Sequence, residues 1–205
     1  MDNGINRRAL EQMMFKAFDK ITPMPEELFK EFAAELRLES YPKNHVLLSA
    51  GSLSEASYFL LSGLVRFHYT TEDGQEFNKA FYNEGQIVGA LSSIILKEPS
   101  RYTIETLEPC QVFVVPDQVY ASYGKKNLAW ERLFSHCCQM MLVRNERREA
   151  ELLLRAPKNR YIQFVRNFPD LTQRISQYHI ASYLGITPVA LSRSRAKWDE
   201  ELETP

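Results

Sequence analysis

Three cations at alternate positions, Arg193, Arg195 and Lys197, close the segment QYHIASYLGITPVALSRSRAK, residues 177–197. Guanidinium and ammonium groups carried on one helix can pair with guanine edges or hold phosphates. That chemistry needs two helices locked at a large angle: a small residue where they cross, a glycine in the turn and apolar residues facing inward. Counting Gln177 as the first position, Ala181 is the small fifth residue and Gly185 the ninth, with Ile180, Leu184, Ile186 and Leu191 inward. Ser194 falls where a branched apolar residue is usual, which predicts looser packing of the second helix. Thr187 is placed to cap that helix, with Pro188 in its first turn. The outward face then presents Thr187, Val189, Ser192, Arg193 and Ala196, with Arg195 and Lys197 at its flanks. Arg193 is the candidate for base contact, and Arg195, Lys197 and Arg174 are candidates for phosphate contact.

Charge is distributed to match. Residues 157–198 carry seven basic residues against Asp170 alone, a net +6, whereas residues 1–156 carry a net −3 and the last four carboxylates, Asp199, Glu200, Glu201 and Glu203, carry −4. A basic segment on an acidic body is the pattern of a nucleic-acid-binding module joined to another domain.

The elements that must position these residues change character along the chain. Residues 8–20 and the run from Pro25 to Leu36 have helical spacing. From Tyr41 the sequence turns to short β-branched and aromatic runs at 46–51, 57–63, 64–70, 76–82, 102–107 and 110–116. Gly51, Gly63, Gly74 and Gly85 punctuate them every 11 or 12 residues. Such spacing predicts hairpins closed into a β-sandwich or small barrel. From Asn127 to Arg155 there is no Gly or Pro, and Trp130, Leu133, Phe134, Cys137, Met140, Met141 and Arg144 keep a helical rhythm. One helix of ~42 Å is expected there, long enough to need a second surface, either a copy of itself or the β-domain. Ala156-Pro157 ends it. The expected domains are a β-roll at 1–126, a dimerisation helix at 127–156 and a helix-turn-helix at 157–205.

This order of N-terminal helices, antiparallel jelly-roll, long helix and helix-turn-helix resembles the CRP/FNR transcription regulators over nearly the whole chain. The stretch IASYLGITPVALSRSR resembles a subgroup whose recognition segment reads YLGITPxxLSRIR. The resemblance implies an α+β fold and a bacterial homodimer on a double-stranded, roughly palindromic operator that contacts RNA polymerase. Only WDEELETP follows Lys197, which predicts that most of the family's wing is missing. Pro188 and Val189 stand where cyclic-AMP-responsive members carry an Arg-Glu pair, so the operator should differ.

In the family, a G-E-L-G-like run and an arginine about ten residues later bind the cyclic nucleotide, and the corresponding effector candidates here are Gly89, Ala90, Leu91, Ser92, Arg101 and Tyr102. The run departs from the pattern by placing Ala90 at the carboxylate position and bulky Tyr102 after the arginine. A missing ribose acceptor costs ~1 to 3 kcal/mol. Cyclic AMP is therefore not the expected effector. Arg101 is left to another small-molecule anion, or to an ion pair with Glu98 or Glu105.

Other chemistries find little support. Three cysteines, Cys110, Cys137 and Cys138, lack CxxC spacing and read as reduced buried thiols. His45 and His68, 23 residues apart, make neither a cupin HxH pair nor a convincing haem ligand set. No hydrolase, P-loop or zinc-protease motif is present, so no enzyme, metal or cofactor is expected. No apolar run reaches the ~18 residues of a membrane span, and no export signal precedes the first helix, which places the chain in the cytoplasm. The alternative reading is a cyclic-nucleotide-responsive subunit acting on a protein partner.

Overall fold

The computed structural model describes residues 6–124 and 127–203. It divides into two compact units, Met1–Phe67 with Phe81–Gln139, and His68–Ala80 with Met140–Pro205.

In the first unit two helices lead, α1 (Arg7–Asp19) and α2 (Glu26–Ala34). Their inward residues Met14, Phe18, Phe29 and Phe32 are buried. Arg7 ties the pair by donating to the carbonyls of Ala33 and Leu36, 2.9 and 3.0 Å away, at the end of α2, where unpaired carbonyls attract a cation.

Among the described residues eight strands follow: β1 (Arg37–Tyr41), β2 (Val46–Leu48), β3 (Ala56–Ser62), β4 (Val65–Thr70), β5 (Glu76–Tyr82), β6 (Ile87–Val88), β7 (Thr103–Thr106) and β8 (Cys110–Pro116). They form two four-stranded sheets in the orders β1-β8-β3-β6 and β2-β7-β4-β5. β8 lies between β1 and β3, antiparallel to both, with Val114 opposite both Arg37 and Tyr58. β1 and β6 are additional to the six strands legible in the sequence. The RLESY of β1 is largely polar and becomes a strand by pairing along β8, whereas β6 has only two residues. Between β3 and β4, Gly63 has φ +95°, and a Cβ there would stand 2.5 Å from the Pro109 carbonyl oxygen, so only glycine fits this turn.

The helices α3 (Leu91–Leu96), α4 (Asp117–Gly124) and α5 (Leu128–Leu154) complete the order to residue 154. The start of α5 is held by Trp130, whose ring centre is 4.3 Å from that of Phe32, 5.9 Å from Phe18 and 5.6 Å from Tyr123. This aromatic cluster is the core of the first unit, and Cys137 packs against its edge.

The second unit joins the later half of α5 to α6 (Pro157–Asn167), α7 (Leu171–Arg174), α8 (Gln177–Leu184) and α9 (Pro188–Glu203), with residues 68–80 of the β4–β5 hairpin. Pro157 occupies the first turn of α6, where its missing N–H costs nothing. Tyr161, Phe164, Ile180, Leu184 and Leu191 make the core. The Tyr161 hydroxyl donates to Asp199 at 2.6 Å and its ring stands 5.5 Å from Trp198. Among the described residues no strand follows α9, which continues as helix to Glu203.

Candidate nucleic-acid interface and the interior of the roll

Local chemistry sets the angle between α8 and α9. The Ser176 hydroxyl accepts from the His179 amide at 3.3 Å and caps α8. Gly185 ends it in the left-handed region, φ 68° and ψ 37°. The Gly185 amide turns back onto Ser182 and the Ile186 amide onto Ala181 at 3.1 Å, satisfying carbonyls the helix leaves open. Two residues later the Thr187 hydroxyl accepts from the Ala190 amide at 3.1 Å and starts α9. Ala181, Leu184 and Leu191 are fully buried where the helices cross. Ile186 and Ser194 are half-buried.

The outward side of α9 carries Thr187, Val189, Ser192, Arg193, Ala196 and Lys197, all exposed. The two arginines part company, because residues two apart on a helix point ~200° away from one another. Arg193 faces solvent, while Arg195 is half-buried and pairs with Asp199 at 3.3 Å. Arg174, on α7, is half-buried.

Three features of this unit have no signal in the sequence. Arg148 of α5 places its guanidinium carbon 3.9 Å from the Tyr183 ring centre and donates to the Tyr183 carbonyl. Burial holds its pKa below the usual arginine range. Lys79 of the hairpin donates to Asn145 of α5 at 3.0 Å, and burial, then the nearby Arg144 and Arg148, lowers its pKa. Arg160 closes the end of α5 by donating to the carbonyls of Leu152 and Arg155, 3.1 and 3.2 Å away.

The interior of the roll is aromatic. Tyr102 stacks on Phe67 with ring centres 5.0 Å apart, Phe67 lies 4.6 Å from Tyr82, and the Tyr102 hydroxyl donates to the Gly89 carbonyl at 3.2 Å. Tyr102 therefore occupies the inner side of the Gly89–Ser92 run. Ala90 is fully buried, whereas Leu91 is half-buried and Ser92 exposed. It is Ser93 that turns inward, accepting from the Ser54 amide at 2.8 Å. Arg101 points outward and is exposed, while its neighbour Ser100 is buried and donates to the Tyr102 carbonyl at 2.7 Å. Glu105 is taken by Arg66, 2.5 Å away and almost fully buried.

The histidines serve local contacts. His45 stacks 4.7 Å from Tyr41, and His68 lies 3.5 Å from the Thr70 hydroxyl. Among the described residues no group of His, Cys, Asp or Glu is arranged to hold a metal, and no helix is long and apolar enough to cross a membrane. All three cysteines are free, but only Cys110 is buried as the sequence suggested; Cys137 and Cys138, on α5, are half-buried.

A jelly-roll followed by a long helix and a helix-turn-helix is the CRP/FNR-like fold, and residues 38–127 match the family of the cyclic nucleotide-binding domain. Similar solved structures include FixK2 from Bradyrhizobium japonicum, with a TM-score of 0.73 and 18% identity over 81% of this chain and 85% of that one. The c-di-GMP-responsive global regulator CLP of Xanthomonas campestris follows at 0.70 and 15%, covering 86% and 93%. A CRP/FNR-family regulator from Eubacterium rectale has a TM-score of 0.73 and 14% identity, covering 91% and 88%. At these identities the likeness is one of fold. No curated protein matches the sequence.

Proposed function

We propose that this chain is a CRP/FNR-type transcription regulator that binds operator DNA as a homodimer through α9, contacts RNA polymerase in the cytoplasm, and does not take cyclic AMP as its effector. The observation that carries the reading is the exposed Arg193, flanked by Thr187, Val189 and Ser192, on a helix anchored by buried Ala181, Leu184 and Leu191. Arg193 reads a base, while Lys197, Arg174 and Arg195 hold phosphates, Arg195 by exchanging Asp199 for the backbone.

The dimer is supported by α5. Phe134, Leu142, Leu152 and Leu153 are exposed there and at 100° per residue fall within one stripe about 100° wide, while Met140 and Leu154, also exposed, lie on the opposite side of the helix. A parallel copy of the helix covers such a stripe. The working division is a sensor at 1–126, a dimerisation helix at 127–156 and a DNA-binding domain at 157–205.

Against cyclic AMP stand the Tyr102 side chain in the roll and the outward Arg101. Gly89, Ala90, Leu91, Ser92, Arg101 and Tyr102 remain the effector region for a different small anion. The family match at 38–127 favours, as a second reading, a regulatory protein that acts on another protein. Selection of duplexes from a random DNA pool by the purified chain, with and without small-molecule extract, separates the two. The first reading expects enrichment of a palindromic site, and a pool that stays random removes it.

A further inference from the structure

Cations gather on one face of the later half of α5. Arg144 and Arg148 are one turn apart there, about 6 Å along the helix axis, and at 100° per residue Asn145 shares their face, which is about 100° wide. Lys79 of β5 donates to the Asn145 side chain at 3.0 Å, which sets its ammonium group beside the two arginines. Arg160 of α6 continues the row, donating to the Leu152 carbonyl at 3.1 Å, one turn beyond Arg148. All four cations are half-buried.

The row has donors left over. One face of the Arg148 guanidinium is covered by the Tyr183 ring, 3.9 Å from its carbon, and its Nη2 donates to the Tyr183 carbonyl. Its Nη1, like the Nε of Arg160, is buried and makes no hydrogen bond, although buried donors ordinarily find partners. Burial lowers the pKa of both Lys79 and Arg148, and their neighbours lower it further: Arg144 and Arg148 act on Lys79, and Arg160 and Arg144 act on Arg148. Glu151 opposes this at Arg148 without giving Nη1 an acceptor. Like charges held this close, with a donor unused, are compensated by a bound anion.

We propose that Lys79, Arg144 and Arg148 form a binding site for a phosphate-bearing small molecule, whose phosphoryl oxygens accept from Arg148 Nη1 once that guanidinium tilts toward the open edge of the row. A guanidinium fork matches two phosphoryl oxygens at once, and two forks a turn apart suit a pair of linked phosphoryl groups. A DNA duplex is the poorer occupant, because a nitrogen sealed among side chains is reached by a small group inserted between them and not by the broad surface of a double helix. The site lies wholly within the second unit. It shares no residue with the Gly89–Tyr102 region or with α9, and it stands whether or not the chain binds DNA.

The test titrates the full chain with inorganic phosphate and with pyrophosphate in a calorimeter, at ionic strength held constant with chloride. Pyrophosphate is expected to saturate one site per chain with a dissociation constant on the order of 0.1 mM, and phosphate to bind more weakly. Arg144→Gln is expected to weaken pyrophosphate roughly tenfold, the effect of one lost charged hydrogen bond. Arg166→Gln removes an exposed charge elsewhere in the unit and is expected to change little. In wild type, pyrophosphate is also expected to shift the amide resonances of Lys79, Asn145 and Tyr183, a readout that needs no variant to fold. No saturable heat with either probe, amide shifts confined to other residues, or an Arg144→Gln effect no larger than that of Arg166→Gln overturns the site. Should Arg144→Gln instead weaken duplex binding and reduce its salt dependence while pyrophosphate gives no heat, the row belongs to the DNA contact and the small-molecule site is refuted.

Discussion

The Arg148 guanidinium lies 3.9 Å from the Tyr183 ring centre and donates to the carbonyl of the same residue, clamping the later half of α5 to the first helix of the helix-turn-helix. Replacing Arg148 by Ala removes a cation–π contact and a charged hydrogen bond, with an expected loss of about 1 to 3 kcal/mol in the second unit. Urea unfolding followed by fluorescence in a Trp130→Phe background reads that unit through Trp198 alone, because the other tryptophan, Trp130, belongs to the first. A Lys in place of Arg148 keeps the charge but loses the planar stack, so most of the loss should persist. A midpoint unmoved by either change would show that the clamp contributes nothing.

The tyrosine inside the roll makes a ligand prediction. Calorimetry with cyclic AMP or cyclic GMP at millimolar concentration is expected to show no saturable heat. Tyr102→Ala is expected to destabilise the chain by roughly 3 kcal/mol, the cost of an aromatic cavity beside Phe67. A micromolar dissociation constant for either nucleotide in the wild type would mean that Tyr102 swings out at little cost, contrary to its stack and hydrogen bond.

At the DNA face, Arg193→Ala is expected to lose about 1 to 3 kcal/mol of discrimination between the selected operator and random duplex while retaining weaker, salt-sensitive binding. Gel-shift titrations at several salt concentrations separate the two effects. Sequence preference identical to wild type would take the base-reading role away from Arg193.

The exposed stripe on α5 predicts the oligomeric state. Leu142, 68% exposed, should tolerate Glu in an isolated chain but not against a second copy. Sedimentation equilibrium is expected to find a dimer for wild type and a monomer for Leu142→Glu, with operator affinity falling as the second half-site is lost. A monomeric wild type at micromolar concentration contradicts the dimer.

Cys137 supplies a pH prediction. Burial, followed by the neighbouring Cys138, pushes its thiol up to about 11 from 9.0, so at pH 8 it holds about a hundredfold less thiolate than an ordinary cysteine. Alkylation there should be correspondingly slow and should accelerate as pH climbs toward 11. The folded chain binds this proton more tightly than the unfolded one, so the thiol's contribution to stability is complete below about pH 9 and is lost as pH rises through 11. Rapid alkylation at pH 8, mapped to Cys137 by mass spectrometry, would show an accessible thiolate instead.

The features legible in the sequence are local ones. Ala181, Gly185, Thr187 and Leu191 specify the helix crossing within eleven residues, because a small residue, a left-handed turn, a hydroxyl cap and an inward leucine each act on their immediate neighbours. The absence of Gly and Pro between Asn127 and Arg155 likewise marks α5, which spans Leu128–Leu154. The strands at 56–62, 65–70, 76–82 and 110–116 match runs of β-branched and aromatic residues.

Tertiary structure decided what depends on partners distant along the chain. β1 exists because β8 offers it an edge more than seventy residues later. Arg193 and Arg195 have the same chemistry in sequence, and only the position of Asp199 and Tyr161 turns one inward and leaves the other outside. Tyr102 reads as mere bulk until Phe67 and Gly89 fix where its ring and hydroxyl go. Asn78 is a polar residue in a strand until it meets His179 and Ser182 a hundred residues on. Periodicity and capping report interactions within a turn or two of backbone, whereas these contacts arise only once the chain has folded back on itself and buried polar groups must find partners there.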